Sequence, residues 1–146
     1  YFTDYDATDS EAAMCGQVHR KLAELAGPQD WIPEQSFCNT ELGYAGKCDL
    51  HSDEWIVDFK TKDGDVSKAR GYSDQAEQLA AYAHGLGYPN ARLANVFISR
   101  DRGLWGTPEG ISFYEHKDPN AWNRFYHTLL LWQVTKKYGP LWDAMQ

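Results

Sequence analysis

One short apolar segment constrains the fold of this 146-residue chain more than any other part of it. Residues 55–60 read Trp-Ile-Val-Asp-Phe-Lys, and their Val, Ile and aromatic side chains favour a β-strand. Side chains two apart on a strand share a face, so Asp58 and Lys60 point the same way. The side chains of Trp55, Val57 and Phe59 point the other way. The sequence therefore predicts a largely buried strand from which an acid and a lysine project side by side.

A second carboxylate precedes this strand. Asp49 lies near the end of a strand predicted for residues 44–50, and a polar turn at residues 51–54 joins the two strands. A hairpin of this kind brings Asp49 across to Asp58. Two convergent carboxylates can bind a hard divalent cation, Mg²⁺ or Mn²⁺, and Lys60 places a positive charge beside it. Phosphodiester hydrolysis requires these groups.

The remaining hydrophobic pattern predicts the element order α-βββ-α-ββ-α. Met14, Val18, Leu22 and Leu25 recur at helical spacing and form the apolar face of a first helix. Predicted strands cover residues 36–40, 44–50, 55–60, 93–99 and 110–115, and further helices cover residues 72–86 and 118–138. A central mixed β-sheet flanked by helices is the simplest packing of this order, so we expect a single α/β domain over residues 1–146.

The ordered set of motifs resembles the PD-(D/E)xK nuclease superfamily, and within it the RecB-like exonuclease branch. The set comprises Gly-x-x-Asp at residues 46–49, Val-Asp-Phe-Lys-Thr at 57–61 and Gln-Leu-Ala-Ala-Tyr at 78–82. The resemblance extends over residues 19–82, and Cys48 stands where the superfamily name has Pro. It implies a restriction-endonuclease-like core, catalysis with Mg²⁺ or Mn²⁺, and DNA as the substrate.

The resemblance gives the central residues their roles. Asp49 and Asp58 are expected to bind one or two metal ions, and the main-chain carbonyl of Phe59 is a further expected ligand. Lys60 is expected to orient the attacking water or to stabilise the negative transition state. The alternatives are two solvated acids at strand ends, and a lysine that pairs with Asp58 or extends to the surface.

Two residues of the second predicted helix are expected to complete the catalytic site. Gln78 and Tyr82 lie four positions apart, so they share one helix face beside the core-facing stripe that contains Leu79. Gln75 shares the face of Gln78 and is the fallback. A solvated face is the alternative for this group of residues.

Further metal ligands are expected from the first helix and from the segment before the first strand. His19 lies on the flank of the first helix's apolar face, where it can point to the sheet edge, and imidazole suits Mn²⁺ better than Mg²⁺. Its alternative is a histidine at the core edge, bonded to a carbonyl. Glu34 is the other candidate, Glu41 competes with it, and a surface position is the alternative for both.

Basic residues beside these motifs are candidates for DNA binding. One group lies between the catalytic strand and the second helix and can hold phosphates, and a second group lies near Trp105 and can grip a single strand. Ordinary solvated charges are the alternative for both groups. The candidates are Lys62, Lys68, Arg70, Arg100 and Arg102.

The last predicted helix carries more apolar residues than one face requires. Trp122, Phe125, Leu129 and Trp132 recur at helical spacing. Core packing is the interpretation we favour for this face. The alternative is contact with a second subunit, in a homo-oligomer, or with a recombination-protein partner.

Composition sets limits on the partners and the location. The formal charge of −7 argues against simple nucleic-acid binding, although bound cations neutralise an acidic metal site. No cysteine follows Cys48, so the four-cysteine iron–sulfur cluster of some RecB-like nucleases is not expected. No membrane span is expected either. The expected location is the cytoplasm of a bacterium or a phage-infected host, or an organelle if the source is eukaryotic.

The sequence thus favours a metal-dependent DNA exonuclease that serves recombination, repair or phage DNA processing. Two rival functions stay open. One is a sequence-specific endonuclease on the same core. The other is a catalytically inactive nuclease-like module for nucleic-acid binding or assembly, which the net acidity favours and the intact set of Asp49, Asp58 and Lys60 disfavours.

Overall fold

The β-sheet contains five strands whose order in space is their order in the chain. The structure is a computed structural model and describes residues 9–146. The strands are β1 (Ile32–Asn39), β2 (Tyr44–His51), β3 (Trp55–Lys62), β4 (Arg92–Ser99) and β5 (Ile111–His116). Neighbouring strands run antiparallel except β3 and β4, which are parallel, so the sheet is mixed as predicted.

The helices flank this sheet. They are α1 (Asp9–Ala26), α2 (Ser73–Leu86), α3 (Ala121–Lys136) and the short α4 (Pro140–Asp143). Helix α2 makes the crossover that a parallel pair such as β3 and β4 requires. The order agrees with the sequence prediction, with α4 and a short 3₁₀ turn at Arg102–Leu104 added. Within residues 9–146, no helix is long and apolar enough to cross a bilayer.

Alternation along β3 divides the core between the two sheet faces. Val57 packs with the α1 residues Val18 and Leu22 on one face. Ile56, its neighbour in sequence, packs with Leu79 of α2 on the other face. Because side chains on a strand alternate, Asp58 and Lys60 share the face of Ile56, which α2 covers. The fold therefore places the acid and the lysine beneath α2.

Helix α3 packs differently from the sequence prediction. The apolar spacing predicts that Trp132 lies in the core, and this is wrong, because Trp132 is 49% exposed and its neighbour Leu131 is 66% exposed. The polar Gln133 is buried instead: its amide donates to the Leu42 carbonyl at 2.7 Å and accepts the Leu141 N–H at 2.9 Å. The last turns of α3 therefore pack on the β1–β2 turn and on α4 through a polar residue.

We expect Leu79→Ala to lower the free energy of unfolding by about 2–5 kcal/mol, because the buried Leu79 side chain leaves a cavity against Ile56. Leu131→Ala is the matched control, since the same substitution on the exposed face of α3 removes little packing. Urea unfolding of both variants measures the difference. Equal losses would show that α2 does not cover the sheet as described.

Candidate active site

Strands β2 and β3 pair at one end and separate at the other. Each strand has eight residues, but their register comprises only two residue pairs and ends at Leu50↔Val57. Beyond that pair, a side chain replaces a main-chain carbonyl as the acceptor of a hydrogen bond from β3, and this side chain is that of Asp49. Its Oδ2 accepts the Phe59 N–H at 2.9 Å. The Asp49 carboxylate is therefore held against the middle of β3.

Asp58 forms an ion pair with Lys60 at this place. Lys60 Nζ lies 2.7 Å from Asp58 Oδ2, and Asp58 is only 5% exposed. Burial raises the pKa of Asp58 to about 6, and the negative charge of Asp49 also raises it, while the hydrogen bond from Lys60 lowers it. Ionising a carboxyl that is short of water and close to a second carboxylate is costly without a nearby cation. The site therefore favours positive charge.

A line of hydrogen bonds leads from Lys60 to α2. Lys60 Nζ donates to Gln78 Oε1 at 3.3 Å, and Gln78 Nε2 donates to the Tyr82 hydroxyl oxygen at 2.9 Å. Burial lowers the pKa of Lys60, whereas the hydrogen bond to Asp58 and the charge of Asp58 raise it. The net effect is a raised pKa, so the amine stays charged. Burial and the charge of Asp58 raise the pKa of Tyr82, whose O–H therefore stays a donor.

Asn95 and His116 belong to the same cluster, although neither is predicted from the sequence. Asn95 Nδ2 donates to the main-chain oxygen of Asp58 at 3.3 Å and to Oδ2 at 3.4 Å. His116 Nε2 lies 2.6 Å from Asn95 Oδ1, so Nε2 carries a proton and donates it. Burial lowers the pKa of His116, which favours the neutral ring. An asparagine within an otherwise apolar strand is the signal in the sequence.

The donor set fits Mg²⁺ or Mn²⁺ by its chemistry. Within residues 9–146, no three side chains of His, Cys, Asp or Glu come together as a complete metal site. Mg²⁺ does not require one, because proteins commonly hold it through one or two carboxylates, with waters and substrate phosphates as the other ligands. Asp49 and Asp58 offer two such carboxylates at one point. The main-chain carbonyl of Phe59 stays a predicted ligand.

The other predicted metal ligands lie elsewhere. His19 is on the exposed side of α1, the helix that covers the sheet face opposite to Asp58, so the expected inward orientation is wrong. Glu34 lies within β1 rather than before it, with a positive φ of 58°, and forms an ion pair with Lys47 at the surface. Glu41 is exposed in the β1–β2 turn. Their roles as metal ligands stay predictions.

The basic residues are spread along one end of the sheet. The Lys62 ammonium lies over the rings of Tyr72 and Phe97, at 5.4 and 5.0 Å from their centres. Lys68 and Arg70 are exposed in the loop between β3 and α2. Two arginines already have acidic partners within the chain. Arg100 pairs with Asp63 at 3.0 Å, and Arg102 pairs with Glu11 at 3.1 Å and lies over the Trp105 ring.

Gln75, the fallback for Gln78, has a structural role: its Oε1 accepts the Tyr72 N–H at 2.9 Å at the start of α2. This bond belongs to the helix N-terminus rather than to the cluster around Asp58.

For the metal-dependent DNA nuclease that the sequence resemblance implies, Gln78→Ala is expected to reduce cleavage by a factor of about ten to a hundred, the range for residues that position a metal site. Gln78 holds both Lys60 and Tyr82 in place, and alanine removes both contacts. Gln75→Ala is the matched control on the same helix, which weakens the helix start but touches no residue of the site. Turnover per folded molecule is the measurement, and equal effects of the two variants would contradict the assignment.

Comparisons of the chain with protein-family models, with curated proteins and with solved structures gave no match.

Proposed function

We propose that this chain is a divalent-metal-dependent deoxyribonuclease of the PD-(D/E)xK type, with a restriction-endonuclease-like core and exonuclease activity. One observation carries the proposal: a buried carboxylate, Asp58, is paired with Lys60 on one strand face, next to a second carboxylate from Asp49. DNA recombination, repair or phage DNA processing are the settings in which such an enzyme acts.

The two carboxylates define where a cation is held. Asp49 and Asp58 supply charged oxygens, and Asn95 fixes the direction of the Asp58 carboxylate through its amide. When bound, the divalent cation supplies Lewis-acid activation of the phosphate and a more acidic water. Asp49 and Asp58 would hold that cation beside Lys60, so the phosphate that it activates would lie within reach of the ammonium.

The lysine and the α2 residues act on the phosphate itself. The Lys60 ammonium stays charged, so it stabilises the negative charge that develops on the phosphate oxygens in the transition state. Gln78 keeps the ammonium in position. The Tyr82 oxygen accepts from Gln78, so its own O–H can donate to a phosphate oxygen.

End-labelled single- and double-stranded DNA, incubated with and without Mg²⁺ or Mn²⁺, tests this function. The expected result is cleavage that requires the metal and releases mononucleotides or short products from an end. Discrete internal fragments would instead indicate the sequence-specific endonuclease. An absence of cleavage with either metal and either DNA would contradict the nuclease proposal.

The charge of the chain favours a second candidate function, an inactive nuclease-like module for nucleic-acid binding or assembly. The net charge is −7, and the acidic partners of Arg100 and Arg102 reduce the positive charge offered to DNA. This candidate predicts DNA binding or protein association without cleavage. The labelled-DNA experiment therefore separates the two functions.

A further inference from the structure

An aromatic cleft lies beside the candidate site. It has a volume of about 400 Å³, near the lower end of the range of small-molecule pockets, which is roughly 300–1,000 Å³. Four half-buried aromatic rings, each from a different element, line it: Phe37 of β1, Tyr44 of β2, Tyr82 of α2 and Phe125 of α3.

The rings form one connected cluster. Tyr44 and Phe125 meet edge to face with centres 5.0 Å apart. Phe37 meets both Tyr44 and Tyr82 in the same way, at 5.7 and 5.9 Å. Tyr44 is fixed by its hydroxyl, which donates to the Ala81 carbonyl at 2.9 Å. Gly46 lets the rings of Phe37 and Tyr82 pack directly on the β2 backbone, because a side chain there would collide with both. The cleft is therefore lined by rings held in fixed orientations.

Tyr82 makes the cleft continuous with the candidate active site. Its ring lines the cleft, while its hydroxyl oxygen accepts the hydrogen bond from Gln78. Gln78 lines the cleft as well and accepts a hydrogen bond from Lys60. A group in the cleft is thus a direct neighbour of a phosphate held near Lys60.

The acidic side chains at the cleft disfavour an anionic occupant. Two carboxylates of α2, Asp74 and Glu77, line it, and Glu77 bonds to Arg124 at 2.7 Å. A phosphate is repelled by the Asp74 side chain. A nucleobase is neutral, stacks on aromatic rings, and carries amino groups that donate to carboxylates. The cleft is therefore suited to the base of a nucleotide and unsuited to its backbone.

We infer that this aromatic cleft binds an unpaired nucleobase of the DNA strand, one adjacent to the phosphate at Lys60. The inference rests on the proposed nuclease function and specifies its substrate: a strand whose base is free to leave the duplex stack, as in single-stranded DNA or at a frayed end. Base stacking then positions the strand, while the carboxylates and Lys60 act on the phosphate.

The test uses short single-stranded oligonucleotides in which one nucleotide at a time is abasic. Binding to the whole protein is measured at low ionic strength with EDTA, so that no cleavage occurs. Loss of the one base that enters the cleft is expected to weaken binding about tenfold, the scale of one base stacked on an aromatic ring. Abasic positions elsewhere are expected to have smaller effects.

Phe125→Leu identifies the cleft as the place where that base binds. This variant is expected to bind the intact strand roughly fivefold more weakly and to lose the difference between intact and abasic strands. Phe113→Leu is the matched control, because Phe113 packs against Trp55 on the opposite sheet face. It is expected to keep the wild-type pattern. If Phe125→Leu fails to fold, the abasic series with the wild-type protein still decides whether one base is bound.

The inference is overturned if every abasic strand binds as tightly as the intact one, or if Phe125→Leu keeps the wild-type pattern of base dependence. Cleavage of the same strands with Mg²⁺ separates this result from the proposed function. Cleavage without base-dependent binding leaves the nuclease standing and removes the cleft. Base-dependent binding without cleavage supports the cleft and contradicts the nuclease.

Discussion

Lys60→Met is expected to reduce DNA cleavage by a factor on the order of a hundred to a thousand, while the protein stays folded. The ammonium is the charged group that the structure holds between Asp58 and Gln78, and it has no substitute in methionine. Losing one preorganised donor for the charge of the transition state has an effect of this size. Methionine retains most of the aliphatic stem, so packing beneath α2 changes little.

Lys62→Met is the comparison for this variant. Lys62 lies two residues further along the same strand and on the same face, but its ammonium lies over Tyr72 and Phe97 rather than next to a carboxylate. We expect only a small loss of cleavage, of the kind that follows from one phosphate contact. Single-turnover rates and thermal midpoints are measured together. A Lys60→Met rate close to that of Lys62→Met would remove the lysine from catalysis.

Asp58→Asn is expected to abolish cleavage and yet to make the metal-free protein no less stable at neutral pH. The pKa of Asp58 is about 6 in the folded protein, against 3.8 for an ordinary aspartate. The folded state thus binds the Asp58 proton more tightly than the unfolded chain does. The protonated Asp58 therefore adds to the free energy of unfolding, and this contribution is fully present below pH 3.8 and is lost as the pH rises through 6. Asparagine does not ionise, so the stability of the Asp58→Asn variant lacks this dependence on pH.

The stability difference between wild type and Asp58→Asn therefore depends on pH. Between about pH 4 and pH 7, the wild type is expected to lose on the order of 1–3 kcal/mol relative to the variant. Urea unfolding in EDTA at several pH values measures this difference. A wild type that gains stability on the variant over the same range would show that Asp58 is not destabilised by burial, and that its charge is satisfied without a metal ion.

Local periodicity is sufficient to predict how the central residues of the candidate site are placed. The alternation along β3 places Asp58 and Lys60 on one face, and the helical spacing of α2 places Gln78 and Tyr82 near each other. A hairpin between β2 and β3 brings Asp49 to the same point. The residues of each pair lie close together in the sequence, so local patterns are enough to predict that they are neighbours.

The parts of the site that were not predicted depend on contacts between distant segments. Asn95 reaches Asp58 because β4 pairs in parallel with β3, and His116 reaches Asn95 from β5. No local pattern specifies which strands are neighbours in a sheet. The exposure of Trp132 also depends on contacts with distant segments. The neighbouring Gln133 is buried because its amide forms hydrogen bonds with Leu42 and with α4, although its side chain is polar.

The sequence pattern also does not predict the orientation of the Glu34 side chain. The register of β1 and β2 pairs the residues on either side of it, Pro33↔Leu50 and Gln35↔Cys48, but does not pair Glu34 itself. Its positive φ interrupts the regular strand there, and its carboxylate pairs with Lys47. Residues other than glycine rarely adopt this conformation, so alternation along a strand does not predict it.

The central claim is that Asp49 and Asp58 together hold a divalent cation beside Lys60. A crystal grown with Mn²⁺ tests it most directly, because the anomalous scattering of manganese marks the position of the ion. The account predicts an anomalous peak within bonding distance of both carboxylates, and its loss in a crystal of Asp49→Asn. An Mn²⁺-soaked crystal with no peak at these two residues, or with the ion bound elsewhere in the chain, would contradict it.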